Sequence, residues 1–245
     1  WTYTMVNGGE DGGSTFLPIM NFLQRHGAPT LAEWPYTGSP DAPANYREWP
    51  TDPKIWQSAL GHRIENIGTI RHVDTPGGLQ NLKAYLANGY IGSFGTSVGG
   101  WRYAKSKANP GVPGDAAAAG QDVCYYIGDY PGPSGHAMTV VGYDDNMWVD
   151  VNANGTVDPG ETGALKIANS WGTDGWAQFD PGTVDNGPSD EAKVGVGGFV
   201  WILYDALKNE SAIPGFQPED RVPLTRGGGF WQSLVYYLQP SPEGY

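Results

Sequence analysis

The sequence predicts an α+β fold, and three observations carry that prediction. Thirty-seven glycines and twenty prolines in 245 residues require many turns and long loops, which marks a β-rich or mixed chain. Two segments place apolar residues at helical spacing, and four others read as strand-like apolar runs. An apolar share of 39%, with ten Trp and fourteen Tyr, suffices for a substantial core and argues against disorder. The length fits one large or two small lobes.

Taken in order, residues 1–13 are Gly-rich, with glycine pairs at Gly8-Gly9 and Gly12-Gly13, where backbone freedom permits tight turns and close approach of another chain. From Thr15 to His26, Phe16, Ile19, Met20, Phe22 and Leu23 follow helical spacing. Ser14 or Thr15 is positioned to cap that helix, Pro18 suits its first turn and Gly27 ends it. Six prolines between 28 and 56 predict irregular loop. A second helix fits 77–88, with Leu79, Leu82, Tyr85 and Leu86 on one face. Strands are expected at 90–98, 136–143, 163–169 and 197–204, with a Gly/Pro/Ala-rich loop at 104–134. Residues 173–198 read as an acidic, Gly-rich insertion. Residues 206–245 read as an extension or linker around one aromatic segment, Phe230 to Leu238.

The net charge of −12 argues against a nucleic-acid partner, because phosphate contacts need clustered Lys and Arg. It also argues against docking on anionic membranes. No apolar run approaches the roughly 18 residues of a membrane span. The chain opens at Trp1 without Met or a basic leader, so the start is read as a processing point or a cut edge. A single cysteine, Cys124, excludes an internal disulfide framework.

Three segments carry chemistry. Ser134-Gly135-His136-Ala137-Met138-Thr139-Val140-Val141-Gly142-Tyr143 places a histidine at the start of a buried strand that ends in a Gly-Tyr turn. Leu165-Lys166-Ile167-Ala168-Asn169-Ser170-Trp171-Gly172 delivers an Asn and then a Trp at a chain reversal. Gly12-Gly13 opens the first helix, and Trp34-Pro35-Tyr36 follows it. Taken singly, these read as a hydrogen-bonded structural His, a turn with a buried Trp, and a Gly turn. In this order and spacing the chain, from about residue 5 to residue 204, resembles the papain-like cysteine peptidases. In that family an H-A-V/M-x-x-V-G-Y strand and an N-S-W-G turn bear the catalytic His and Asn, and a Gly-Gly pair and a Y-P-Y-like triplet flank the first helix. Trp34 stands where that triplet begins with Tyr.

The resemblance implies a papain-like two-lobe fold. Residues 1–69 would form a partial helical lobe, residues 70–205 an antiparallel β-barrel-like lobe with the 77–88 helix packed on it, and residues 206–245 the C-terminal extension. It implies peptide-bond hydrolysis through a Cys-His-Asn site, with His136 as acid/base, Asn169 as its orienter and Trp171 shielding their hydrogen bond. Gly12, Gly13 and Gly135 would line the substrate cleft, Gly135 standing where plant papain has Asp. The chemistry has a reason. A thiolate is the competent nucleophile, an imidazolium stabilises it and later protonates the leaving amine, and a side-chain amide orients the ring without adding charge. The family nucleophile sits at a helix N-terminus in a C-G-S-C-W-like segment, roughly 130–150 residues before the His and Asn. No C-G-S-C-W-like segment stands in residues 1–245, whose single cysteine is Cys124. The nucleophile and the oxyanion-hole Gln are therefore expected upstream of residue 1, or on another part of an assembly. Cys124 lies twelve residues before His136 in an expected loop with no helix N-terminus to lower its pKa, and is read as a bystander.

Between the His and Asn strands, Asp150 to Glu161 matches the EF-hand loop rule. Oxygen side chains stand at Asp150, Asn152, Asn154, Asp158 and Glu161, Gly155 at the sixth position and the Thr156 carbonyl at the seventh. A structural Ca²⁺ is expected there; the competing reading is an Asx-rich hairpin tip. The acidic surface and this loop favour a secreted or cell-surface protein of bacterial type. The expected partners are a peptide or protein substrate, and an upstream nucleophile-bearing segment or neighbouring copies that cover apolar surface. The alternatives are a catalytically inactive papain-fold structural, assembly or binding protein, and an acyltransferase or transglutaminase built on the same triad.

Overall fold

The computed structural model describes residues 1–10, 12–35, 47–98, 100–128, 135–177, 193–208, 210–216 and 235–240. Tyr36, Ser134, the 178–192 stretch of the acidic insertion and Phe230 to Leu234 lie outside the described residues. The chain divides into two units: Trp1–Gly68 with Leu238–Tyr245, and Thr69–Tyr237.

Among the described residues the first unit holds three helices. α1 (Thr2–Val6) occupies part of the Gly-rich start, where no helical spacing predicts an element. α2 (Phe16–His26) follows the expected spacing, but Thr15 caps it without a side-chain hydrogen bond. Its end is fixed by sterics: a Cβ on Gly27 (φ +66) would stand 1.8 Å from the Ala59 carbonyl oxygen. α3 (Pro53–Gly61) begins inside the expected proline loop. Pro53 does not break it, because a proline in the first turn lacks only an N–H that has no helical partner, and the Asp52 side chain accepts from Lys54 N–H at 2.9 Å. The core here is aromatic. Trp1 packs on Trp56 at 4.7 Å between ring centroids, and its indole N–H donates to the Gly27 carbonyl at 2.9 Å.

β1 (Ile64–Ile70) carries the chain into the second unit, and β10 (Val235–Pro240) carries it back. In the second unit follow α4 (Pro76–Ala87), β2 (Ile91–Ser97), β3 (Trp101–Lys105), β4 (Asp122–Ile127), β5 (Gly135–Trp148), β6 (Thr162–Ala168), β7 (Asp174–Ala177), β8 (Lys193–Val196) and β9 (Phe199–Leu203). Six of these strands lie side by side in the order β2-β5-β6-β9-β4-β3. The fold is α+β; among the described strands no closed barrel is shown, and β4 runs parallel to β9 where an antiparallel arrangement was expected. β4 falls in the expected 104–134 loop. Its sequence, Asp-Val-Cys-Tyr-Tyr-Ile, is almost wholly buried, and a strand buried on both faces shows no alternation to detect. The expected 173–198 insertion also contains structure, the β7–β8 pair.

One core joins the sheet to α4, with Leu82, Phe94, Val140, Ile167, Ile202 and Leu203 at its centre. Each such side chain contributes about 1.5–3 kcal/mol on burial. Thr75 caps α4, accepting from Gly78 N–H at 3.2 Å. The ammonium of Lys83 on α4 bonds both Asp145 oxygens at 2.6 and 2.7 Å, and the Tyr204 hydroxyl donates to the same carboxylate at 2.9 Å. Burial, followed by the Asp145 contact, holds the Tyr204 phenol well above its ordinary range, so it remains a donor. Residues 206–208 and 210–216 are not a loose extension. Ala206, Leu207 and Ile213 are buried in this core, and the buried Asp205 carboxylate accepts from Ser211 Oγ–H at 2.6 Å and Ala212 N–H at 2.8 Å.

Candidate functional site

His136 enters on the second residue of β5, opposite the buried Thr96 of β2. Asn169 leaves the end of β6, where its N–H donates to the Gly198 carbonyl at 3.0 Å. β5 and β6 are antiparallel neighbours with Thr139 opposite Ala168, so the start of one strand meets the end of the other. The two side chains close that junction: His136 Nε2 lies 2.7 Å from Asn169 Oδ1. Trp171 stacks on the imidazole at 4.3 Å between centroids, with 28° between planes, and is 41% exposed, so it shields one face of the pair without closing the site. All three residues belong to the second unit.

Asn169 Oδ1 also accepts from the Ser170 backbone N–H at 2.7 Å. A backbone N–H is only a donor, so the atom facing His136 is the amide oxygen. The ring must therefore donate through Nε2–H, which leaves Nδ1 with the free lone pair. The arrangement thus fixes both the tautomer and the nitrogen that can exchange a proton with a substrate or nucleophile.

Burial lowers the His136 pKa, and the Asn169 hydrogen bond partly opposes that shift. The ordinary imidazole value is about 6.5. The folded chain protonates this ring less readily than the unfolded chain does. Its contribution to stability is whole above about pH 6.5 and is lost as the pH falls through the lower folded value. An NMR titration is expected to place the His136 midpoint below about 6.5, and His136→Gln to lose less stability than the parent on acidification. A midpoint at or above the ordinary value would contradict this.

The other expected site residues are placed as follows. Gly12 and Gly13 belong to the first unit and are exposed. Gly13, with φ +81, donates its N–H to the Tyr3 hydroxyl at 3.1 Å. Gly135 begins β5 opposite Ser97 and is exposed. Cys124 is fully buried on β4, its thiol 3.3 Å from the Tyr126 carbonyl.

The Asp150–Glu161 loop is closed on itself. Asp150 accepts from Asn154 N–H at 3.0 Å, Gly155 N–H at 3.1 Å and the Lys107 ammonium at 2.6 Å. Lys107 and these N–H groups hold its carboxyl below the ordinary range. Asn154 accepts from Thr156 N–H at 2.7 Å. The amide nitrogens of Asn152 and Asn154 both donate to Asp158 Oδ2 at 2.7 Å. Glu161, wholly buried, accepts from Val151 N–H (2.8 Å), Asn152 N–H (3.3 Å), Asp158 N–H (3.2 Å) and the Trp148 indole N–H (3.3 Å). Among the described residues no group of three or more His, Cys, Asp or Glu side chains is placed to hold a metal. The sequence reading missed the role of Glu161 as an internal acceptor and that of Gly198 behind Asn169. The Gly195, Gly197 and Gly198 spacing was the available signal for the latter.

No family model matches the chain, and no curated protein matches it. Among solved structures the chain is similar to "proCathepsin B S9 from Trypanosoma congolense", with 14% identity and a TM-score of 0.42, over 98% of this chain and 59% of that one. Among the described residues no helix is long and apolar enough to cross a membrane.

Proposed function

We propose that this chain is the His- and Asn-bearing part of a papain-like cysteine peptidase that hydrolyses peptide bonds, its nucleophilic Cys lying on a segment upstream of residue 1. The observation that carries this reading is the His136–Asn169 hydrogen bond, with the amide orientation fixed by Ser170 N–H and the ring covered by Trp171.

In this reading His136 Nδ1 takes the proton of the thiol, giving a thiolate–imidazolium pair. The thiolate attacks the scissile carbonyl, and His136 Nδ1 then gives its proton to the leaving amine. A water, deprotonated by the same nitrogen, attacks the acyl-enzyme and frees the acid and the thiol. Asn169 Oδ1 holds Nε2–H throughout, so the ring cannot turn over between the two transfers. The indole face of Trp171 favours the imidazolium by a cation–π contact and keeps water from competing for the Nε2–H bond. The test is hydrolysis of peptide substrates by a protein extended upstream to include the Cys segment. Activity is expected, and its abolition by His136→Ala; hydrolysis unaffected by His136→Ala would overturn the assignment.

The burial of Cys124 favours a second reading, a papain-fold binding or assembly protein without catalysis. An upstream sequence without a cysteine would decide for it.

The upstream segment is also proposed as a structural partner. Leu17, Leu31, Trp49 and Leu60 of the first unit are exposed, and a partner segment that covered them would gain apolar burial. In sedimentation the 245-residue chain alone is expected to self-associate; a monodisperse monomer would contradict this.

Ca²⁺ in the Asp150–Glu161 loop is a separate proposal, supported by its oxygen-rich donor set. Binding would require the Asn152 and Asn154 amides to turn their oxygens inward. Added Ca²⁺ is then expected to raise the melting temperature by mass action. A melting curve indifferent to Ca²⁺ and to chelator would remove the ion from the account.

A further inference from the structure

Asn169 is held at both ends. Its side chain meets His136, and its backbone N–H donates to Gly198. Gly198 closes a turn through its own N–H, which donates to the Gly195 carbonyl at 2.9 Å. Gly197 N–H donates to the Thr173 carbonyl at 2.7 Å, tying that turn to the chain leaving Trp171. Gly197 and Gly198 both have φ +85, and a Cβ on Gly198 would lie 3.4 Å from the Gly172 carbonyl oxygen.

The turn is anchored in its turn by a carboxylate. Gly195 N–H donates to Asp122 Oδ2 at 3.1 Å. Asp122 begins β4 and is 9% exposed, and its other oxygen pairs with the Lys105 ammonium of β3 at 2.6 Å. A carboxylate this buried is costly unless both oxygens have partners. One of these partners is the backbone of the turn that supports Asn169.

We propose that Asp122 is a remote positioning residue for Asn169, acting through the Gly195–Gly198 turn. The inference rests on the reading of His136 as acid/base and Asn169 as its orienter. Asp122 fixes Gly195, Gly195 fixes Gly198, and the Gly198 carbonyl sets the height at which Asn169 Oδ1 meets the imidazole. When Asp122 is removed, the Asn169 backbone drifts and the ring loses its single tautomer. The effect falls on His136, not on substrate contacts.

The experiment reads the ring nitrogens of His136 by ¹⁵N NMR in the 245-residue chain. The parent is expected to show one Nε2–H tautomer. Asp122→Ala is expected to lose that signature and to lower the His136 pH midpoint, because the hydrogen bond that raises it is weakened. Asp122→Asn, which keeps an oxygen for Gly195 N–H, is expected to retain the parental signature. If Asp122→Ala does not fold, Gly197→Ala and Gly197→Asn take its place. Ala resists the left-handed backbone that Asn tolerates, so only the Ala variant should lose the tautomer. Folded Asp122→Ala or Gly197→Ala with parental His136 nitrogens would overturn the proposal. A parent chain lacking the Nε2–H tautomer would overturn the His136–Asn169 reading itself, and this inference with it.

Discussion

Asn169→Ala, in a protein extended to include the nucleophile, is expected to lower kcat about 10²- to 10⁴-fold, the range for a misplaced general acid–base. KM should change little, because Asn169 meets the imidazole and not the substrate. The cause is loss of the acceptor 2.7 Å from Nε2. Without it the ring samples both tautomers and turns Nδ1 away from the thiol. Asn169→Gln should not restore turnover, since the longer side chain cannot keep its oxygen against both Nε2–H and Ser170 N–H. Steady-state kinetics on the two variants checks this. A kcat for Asn169→Ala within a factor of about two of the parent would remove Asn169 from the mechanism.

Glu161→Ala is expected to cost about 3–5 kcal/mol of folding stability, the range for leaving one buried and three part-buried donors without an acceptor. The carboxylate is wholly buried and accepts from three backbone N–H groups and the Trp148 indole. Glu161→Gln should cost less, because one of its two terminal atoms is still an acceptor. Urea denaturation in the presence of chelator separates this from any metal effect. A loss under about 1 kcal/mol for Glu161→Ala would show that these N–H groups find other partners.

The junction of His136 and Asn169 was reached only through the resemblance of the two segments, in their order and spacing, to the papain-like peptidases; taken singly, each reads as a structural His or a turn with a buried Trp. The strands that carry them were legible because each announces its own apolar run. α4 was legible for a similar reason: Leu79, Leu82, Tyr85 and Leu86 share one face, although the helix begins at Pro76, one residue before the expected start. The misses have a common cause in longer-range packing. β4 is buried through Val123, Cys124, Tyr126 and Ile127, and nothing in its local pattern separates it from the Gly- and Ala-rich residues before it. Pro53 looked like a breaker but sits where a helix tolerates proline. Ala206, Leu207 and Ile213 sit among turn-forming residues and enter the core only because Asp205 folds the chain back through Ser211 and Ala212. The oxygen spacing of the Asp150–Glu161 loop was legible, but not that Glu161 would already be filled by N–H donors.

In the proposed reading His136 Nδ1 serves a thiolate. The direct measurement is the pH dependence of alkylation of the upstream cysteine in the extended protein. A thiolate–imidazolium pair predicts rapid alkylation persisting well below the ordinary thiol pKa of about 8.5, with a second limb where His136 deprotonates, and loss of that limb in His136→Ala. Alkylation that follows a single ordinary thiol titration, unchanged by His136→Ala, would contradict the account.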